Sequence, residues 1–283
     1  MTELQKTELA ILKAVIDICD RADIRYYMVC GSALGAAKYQ GFIPWDDDVD
    51  IGIFREDYER FCEIAPQLLP PYYFLQTYKT DSRFPMIFAK VRDVRTTYVE
   101  KSLSELNVNH GVYIDVFPLD GYPSAKGAGA WLEFRKKLYT LQLSCVYRIN
   151  PEQSFKSKCF FRMERMLGFH KCTGRTLRRY ERLIAKYSVN GSELICNHGN
   201  WQGRLEYAPQ WHYGDGVWAT FEGLRVRIPE NFDAYLTQKY GDWRAELPPE
   251  QQVGHHYYAI MDLNRPYTEY VEILPNGKAR IKT

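Results

Sequence analysis

No stretch of this sequence reaches the about 18 consecutive apolar residues that a membrane-spanning helix needs. The first residues, Met1-Thr2-Glu3, lack the apolar core of a secretory signal. The expectation is a protein neither integral to a membrane nor exported by a classical signal. There is no Cys-x-x-Cys pair, and the seven cysteines (Cys19, Cys30, Cys62, Cys145, Cys159, Cys172, Cys196) are an odd number. Several sit among apolar neighbours, so they read as reduced, buried thiols rather than a disulfide framework. That places the chain in the cytoplasm. Charge of one sign is lacking too. The 37 Lys and Arg nearly balance 35 Asp and Glu, for a net +2. A nucleic-acid partner therefore has no overall electrostatic support. Neither an internal repeat nor a low-complexity segment occurs.

What is present is size and aromatic content. A chain of 283 residues can build one large domain or two small ones around a sizeable core. Aromatics make up 15%, with 22 tyrosines, which suits carbohydrate contacts, interfaces or a membrane surface.

Thr2 and Gln5 form a capping-box pattern, and Leu9, Leu12, Val15, Ile16 and Cys19 follow at helical spacing, so residues 3–21 read as an amphipathic helix. Residues 26–29 read as a strand ending at Gly31-Ser32, and 34–39 as one or two helical turns. Val49, Ile51 and Ile53 alternate with Asp50, Gly52 and Phe54, as in a strand. Residues 55–64 read as a helix stopped by Pro66. Further strands are expected at 73–77, 86–91, 96–100 and 112–117. This mixture is an α/β or α+β pattern. After Pro123 the character changes. Residues 131–186 carry 14 Lys and Arg against 4 Asp and Glu, with helical apolar spacing. Residues 193–228 look irregular with short strands, and Pro229 to Gly241 brackets a last helix. The expected division is a catalytic core over 1–123 and a helical, basic and C-terminal region over 124–283.

The densest chemistry is Trp45-Asp46-Asp47-Asp48-Val49-Asp50-Ile51-Gly52. If the strand extends through it, Asp46, Asp48 and Asp50 project from one face. Carboxylates this close repel unless a cation lies between them, and hard oxygen ligands suit Mg²⁺ or Mn²⁺. A second acidic strand, Val112–Phe117, embeds Asp115 among apolar residues, and a buried lone carboxylate needs a partner. If the two strands are neighbours, Asp115 completes a site able to clamp two metals about 4 Å apart. Upstream, Cys30-Gly31-Ser32 lies between a strand and a helix. Gly31 lets a phosphate approach the backbone, and Ser32 adds a hydroxyl donor. Two bland readings compete: a solvated acidic turn, and a calcium loop. The latter needs Gly and Glu at its sixth and twelfth positions, where this chain has Ile51 and Asp57.

The stretch from Gly31-Ser32-Ala33-Leu34-Gly35-Ala36-Ala37-Lys38 to Gly41-Phe42-Ile43-Pro44-Trp45-Asp46-Asp47-Asp48-Val49-Asp50-Ile51 resembles the signature of the LicD-family choline-phosphate transferases and their fukutin-related kin. The resemblance continues in Ala89–Asp93, Tyr113–Asp120, Tyr240–Trp243, Pro248-Pro249 and His255, and is loose in the middle of the chain. It implies an α+β nucleotidyltransferase (polymerase-beta-like) fold, a mixed sheet flanked by helices. It also implies transfer of a phospho-alcohol from a CDP-alcohol, CDP-choline-like, to a hydroxyl of a glycan, teichoic acid precursor or lipid-linked polysaccharide. Asp48, Asp50 and Asp115 would be catalytic and metal-binding, with Asp46 an outer ligand. Lys38, Lys90, Arg92 and His255 are candidates for phosphate, beside Gly31 and Ser32. The blander roles are a helix-end charge for Lys38, a surface strand pair for Lys90 and Arg92, and a turn cap for His255.

The basic middle holds Trp131, Phe134, Tyr139, Phe155, Phe160, Phe161 and Phe169 between its arginines and lysines. One reading is peripheral contact with anionic lipid at the inner face of the cell membrane. The other is an ordinary helix, and aromatics at helical spacing usually pack inward. His170-x-Cys172 and Cys196-x-His198 could ligate a structural zinc, but their spacing matches no common motif. Two further functions stay open: nucleotidyl transfer from an NTP to a small alcohol or aminoglycoside, and non-catalytic glycan or membrane binding. The head group, the acceptor and the oligomeric state are not legible.

Overall fold

The computed structural model describes residues 1–144, 162–163, 166, 173–200, 203–254 and 257–282. The architecture is α+β. Helix α1 (Glu3–Arg21) starts with the expected capping box, Thr2 and Gln5 each bonding the other's backbone. It buries Ile11, Leu12, Val15, Ile18 and Cys19 against a central mixed sheet. That sheet has seven strands, with path β1-β2-β6-β4-β3, and β7 and β8 continuing from the far half of β6. The strands are β1 (Tyr26–Met28), β2 (Asp50–Phe54), β3 (Tyr73–Gln76), β4 (Ala89–Asp93), β6 (Val112–Tyr122), β7 (Leu194–Asn197) and β8 (Tyr207–Pro209). Among the described residues only β2 and β6 pair in parallel; the other ladders of this sheet are antiparallel. Strand β5 (Thr97–Glu100) pairs with β11 (Tyr258–Asp262), β9 (Val217–Phe221) with β10 (Leu224–Ile228), and β12 (Val271–Ile273) with β13 (Ala279–Ile281). The sheet thus runs across the boundary expected at residue 123.

Three expectations about elements need correction. Helix α2 (Cys30–Leu34) begins four residues early, so Gly31 and Ser32 form its first turn rather than a loop, and a π-helical turn (Gly35–Tyr39) follows. Helix α3 (Arg55–Leu68) contains Pro66 in its last turn, where only one upstream bond is lost. Strand β6 passes through Pro118 to Tyr122. The Asp115 N–H donates to Val49 C=O at 2.8 Å, so odd residues of β6 point their N–H toward β2. The Pro118 nitrogen therefore faces the other edge, between the end of the β4 ladder at Val116 and the start of the β7 ladder at Leu119. A missing donor breaks nothing there.

Helix α4 (Lys126–Ser144) packs against α5 (Thr173–Ile184) through Leu132, Tyr139, Leu143, Leu177 and Tyr180. Trp131 and Phe134, expected to pack inward, stand outside at 54% and 53% exposure. Phe155, Phe160, Phe161 and Phe169 lie outside the described residues. No helix among the described residues is long and apolar enough to cross a membrane. The short helix α6 (Gln210–Tyr213) is followed by α7 (Phe232–Tyr240), which begins three residues after Pro229 and ends at Gly241, φ 69°.

Candidate active site

The parallel ladder puts Asp50 directly opposite Asp115, and the antiparallel one puts Lys90 opposite Asp115. All three side chains share one sheet face. Asp48 and Asp46 precede the strand in irregular backbone, so strand alternation does not orient them. Two other contacts do. The Gln5 side-chain amide, already part of the α1 cap, donates to Asp46 C=O at 2.9 Å. A Cβ on Gly31 would lie 2.7 Å from Asp46 Oδ2, so the missing side chain makes room for that carboxylate. Ser32, 3% exposed, accepts a hydrogen bond from Asp50 N–H at 2.8 Å and anchors the start of β2. Gly31 and Ser32 thus shape the acidic row, and Ser32 has no surface for a phosphate.

Asp46, Asp48 and Asp50 line a cleft of about 510 Å³ together with Gly31, Lys38, Tyr39, Trp45, Asn200, Tyr240, Asp242 and Trp243. Asp115 lies behind them, 8% exposed, with the Lys90 ammonium 3.0 Å from its Oδ1. Burial pushes the Asp115 carboxyl above its ordinary range. Lys90 opposes this, while Glu100 and Asp48 add to it.

The basic candidates divide. Lys38 lines the cleft, but its ammonium donates to Ala245 C=O at 2.7 Å and pairs with Glu246 at 3.1 Å. Lys90 does not reach the cleft. Its ammonium is held by Asp115, by Glu100 at 3.3 Å and by the Tyr113 ring, with 3.3 Å to the centroid. Arg92 is fully buried and bonds Gln76, Gly111 C=O at 2.7 Å and Glu100 at 2.7 Å. Buried charges must be paired, and these pairs are internal. As placed, neither Lys90 nor Arg92 is a phosphate contact; they brace the strand carrying Asp115. His255 lies outside the described residues, as do His170 and Cys172. The remaining pair of the zinc reading, Cys196 Sγ and His198 Nδ1, is 3.3 Å apart.

Among the described residues, no three acidic, His or Cys groups are gathered closely enough to enclose a metal ion. Mg²⁺ does not require such an enclosure. It keeps several waters and takes one or two carboxylates plus the substrate's phosphates. The donor set is all carboxylate oxygen, and Asp48 and Asp50 fit that mode of binding.

The sequence reading did not assign Tyr39, Trp45, Tyr240, Asp242, Trp243 or Asn200 to the site. Tyr240-Gly241-Asp242-Trp243 was legible as a motif. Its position was not, because it depends on the end of α7 arriving beside α2. Under that contact Lys239 forms a buried ion pair with Glu206, and Asn200 donates to Cys30 Sγ at 3.2 Å.

Residues 23–142 match the family described as LicD/FKTN/FKRP, nucleotidyltransferase domain. Over 263 residues the chain is 26% identical to the lipopolysaccharide cholinephosphotransferase LicD of Haemophilus influenzae, covering 90% of this chain and 96% of that one. A shorter match, 49% over 43 residues, joins it to the ribitol 5-phosphate transferase FKRP of mouse and of human, covering 15% of this chain and 9% of theirs. The matched domain spans α2, the irregular segment before β2, and β2, β4 and β6, and so contains Asp46, Asp48, Asp50 and Asp115. Residues 23–142 are thus similar to the nucleotidyltransferase domain of the LicD family, and the similarity to a LicD transferase extends over most of the chain.

Proposed function

We propose that this chain, a LicD-type transferase, moves a phosphate-linked alcohol onto a hydroxyl of a cell-surface glycan, taking it from a CDP-alcohol of the choline type in the presence of Mg²⁺ or Mn²⁺. The observation that carries the reading is the cleft itself. Its lining brings the row Asp46, Asp48, Asp50 together with Tyr39, Trp45, Tyr240, Trp243 and Asp242. Aromatic faces and a carboxylate suit a quaternary ammonium. The acidic wall alone would repel a diphosphate, so the donor must arrive with its charge neutralised. Bound at Asp48 and Asp50, a divalent cation would supply that neutralisation and polarise the phosphate oxygens.

The chain's own residues do the rest. The cleft aligns the donor so that the acceptor oxygen attacks phosphorus opposite the leaving oxygen. A new P–O bond forms to the glycan, the bond to CMP breaks, and the acceptor proton passes to a carboxylate. Burial holds the Asp115 carboxyl above the usual carboxylate range, which suits it to take that proton. Lys90 then limits the charge left on the sheet face.

A panel of CDP-alcohols with Mg²⁺ or Mn²⁺, scored for CMP release against polysaccharide acceptors, tests the proposal. Pyrophosphate release from an NTP instead would move the chain to nucleotidyl transfer. Intact glycan binding by an Asp48→Asn/Asp50→Asn variant, with no turnover in the parent, would make it a binding protein.

A further inference from the structure

A second cavity, of about 450 Å³, lies between α4 and the loop that follows β7. Phe88, Thr140, Leu143, Asn197, His198 and Asn200 are among its walls. Two polar atoms of these walls, Asn197 Nδ2 and His198 Nε2, are buried and have no hydrogen-bond partner. Both residues are more than nine-tenths buried, at 3% and 6% exposure. Their other polar ends are engaged: Asn197 Oδ1 accepts from Gly199 N–H at 3.0 Å, and His198 Nδ1 meets Cys196 Sγ at 3.3 Å. Native interiors seldom leave such groups unpaired; neither atom has open surface as placed, so a ligand completes them by turning the two side chains toward the cavity.

Their chemistry restricts the ligand. Asn197 Nδ2 only donates. His198 is neutral, since burial lowers its pKa and Lys136 and Arg55 add to that. Its Nε2 either donates or accepts, according to the tautomer. A hydroxyl both accepts and donates, so it satisfies both atoms in either tautomer; an anion does so only when Nε2 carries the proton, and a cation never does. The rest of the wall is largely apolar, with Phe88 presenting a ring, which suits the C–H face of a sugar.

The cavity also adjoins the acidic row. Asn200 lines both it and the cleft. A Cβ on Gly199 would lie 2.8 Å from Phe117 and 2.8 Å from Phe88, so this loop lies flat on those rings. Phe117 shares the sheet face of Asp115, two residues along β6, or roughly 7 Å at a strand's rise. That separation is about the length of one sugar ring.

We propose that this cavity holds a sugar ring of the glycan acceptor, with ring hydroxyls on Asn197 Nδ2 and His198 Nε2 and a neighbouring hydroxyl delivered past Asn200 to the acidic row. The assignment rests on the transferase reading above, but its test does not. Methyl glycosides of glucose, galactose and N-acetylgalactosamine are titrated into the full chain and followed by amide NMR. At least one is expected to shift the Gly199 backbone amide and the Asn197 side-chain amide. Thr140→Trp, which fills the cavity from α4, weakens that binding by about tenfold or more. His198→Phe, which keeps a ring but removes its nitrogens, does the same, and circular dichroism melting verifies that each variant is folded. In Thr140→Trp transfer to glycan falls.

Glycoside shifts confined to the cleft, or binding indifferent to both substitutions, overturn the proposal, as does failure of every glycoside to bind the folded chain. If no CDP-alcohol is turned over yet a glycoside maps to the cavity, the sugar site stands and the donor assignment falls. If turnover occurs and Thr140→Trp leaves the KM for glycan unchanged, the sugar site falls alone.

Discussion

Asp50 and Asp115 stand opposite each other in the only parallel pairing that the central sheet has among the described residues. Neighbouring strands are roughly 4.8 Å apart, so two carboxyl groups are held close on one sheet face with Asp48 just before them. Asp48→Asn and Asp50→Asn are each expected to lower turnover about 100-fold or more, the scale of losing one preorganised electrostatic group. In metal-free buffer the same variants melt at the parent's temperature or a few degrees higher, because repulsion is relieved. Mg²⁺ raises the melting temperature of the parent and not of the double variant. Differential scanning fluorimetry with and without EDTA reads this directly. A parent indifferent to Mg²⁺ and Mn²⁺ would remove the metal from the proposal.

Lys90 separates two roles by experiment. Its ammonium lies between Asp115 and Glu100, 3% exposed. Lys90→Met therefore leaves Asp115 without its cation and Glu100 with Arg92 alone, at a cost of about 3–5 kcal/mol in urea unfolding. A phosphate-binding lysine would behave differently: stability would hold and the donor KM would rise. The expected result is the loss of stability, and the reverse pattern would return Lys90 to the cleft.

How much of this was legible in the sequence depended on the range of the forces involved. The α1 boundaries and cap were readable because Thr2, Gln5 and the apolar spacing act within a few residues. The Asp-rich segment and Asp115 were readable because clustered carboxylates carry little other meaning. Pairing β2 with β6 was a guess that the register upholds. What misled was local chemistry overridden by distant partners. Lys90 and Arg92 look like surface charges until Glu100 and Gln76 close over them. Pro118 looks like a strand stop until β7 takes over where β4 ends. Ser32 reads as a ligand donor until the start of β2 lies beneath it. The aromatic wall required α7 to reach α2, a contact between segments some 200 residues apart (Cys30 N–H donates to Tyr235 Oη, separation 205).

That aromatic wall makes a prediction about the head group. Trp243→Ala and Tyr240→Ala are expected to raise the KM for a choline-type donor by roughly 3- to 30-fold, the equivalent of about 0.5–2 kcal/mol of cation–π contact. A donor with the neutral 3,3-dimethylbutyl group in place of choline binds the parent more weakly and loses much less on substitution. Steady-state kinetics with both donors isolates the charge from the shape. Equal losses for the two would show that the rings provide apolar packing alone. Trp243 also donates to Asp233 at 3.0 Å, so Trp243→Phe serves as the control that keeps a ring while losing this bond.

Behind the acidic row a buried histidine sets an acid limit on stability. His110 is fully buried; its Nε2 lies 3.0 Å from Leu106 C=O, and its Nδ1 has no hydrogen-bond partner. Burial lowers its pKa from 6.5 to about 4, and the Arg92 guanidinium contributes in the same sense, while Leu106 C=O, Glu100 and Asp81 pull the other way. Because the folded value lies below the unfolded one, the unfolded chain binds the proton first as pH falls. The contribution is complete above pH 6.5, declines between 6.5 and about 4, and is spent below that. A shift of this size corresponds to about 3 kcal/mol. His110→Gln can still donate to Leu106 C=O but does not titrate. It should therefore lose less stability than the parent across that window, by an amount approaching that figure, in urea unfolding at a series of pH values. His198 and His212 are lowered in the same direction and remain in both proteins, so the difference between the two curves belongs to His110. Parallel curves would mean that the His110 site takes up a proton without opening, and that its contact with Arg92 is looser than the fold suggests.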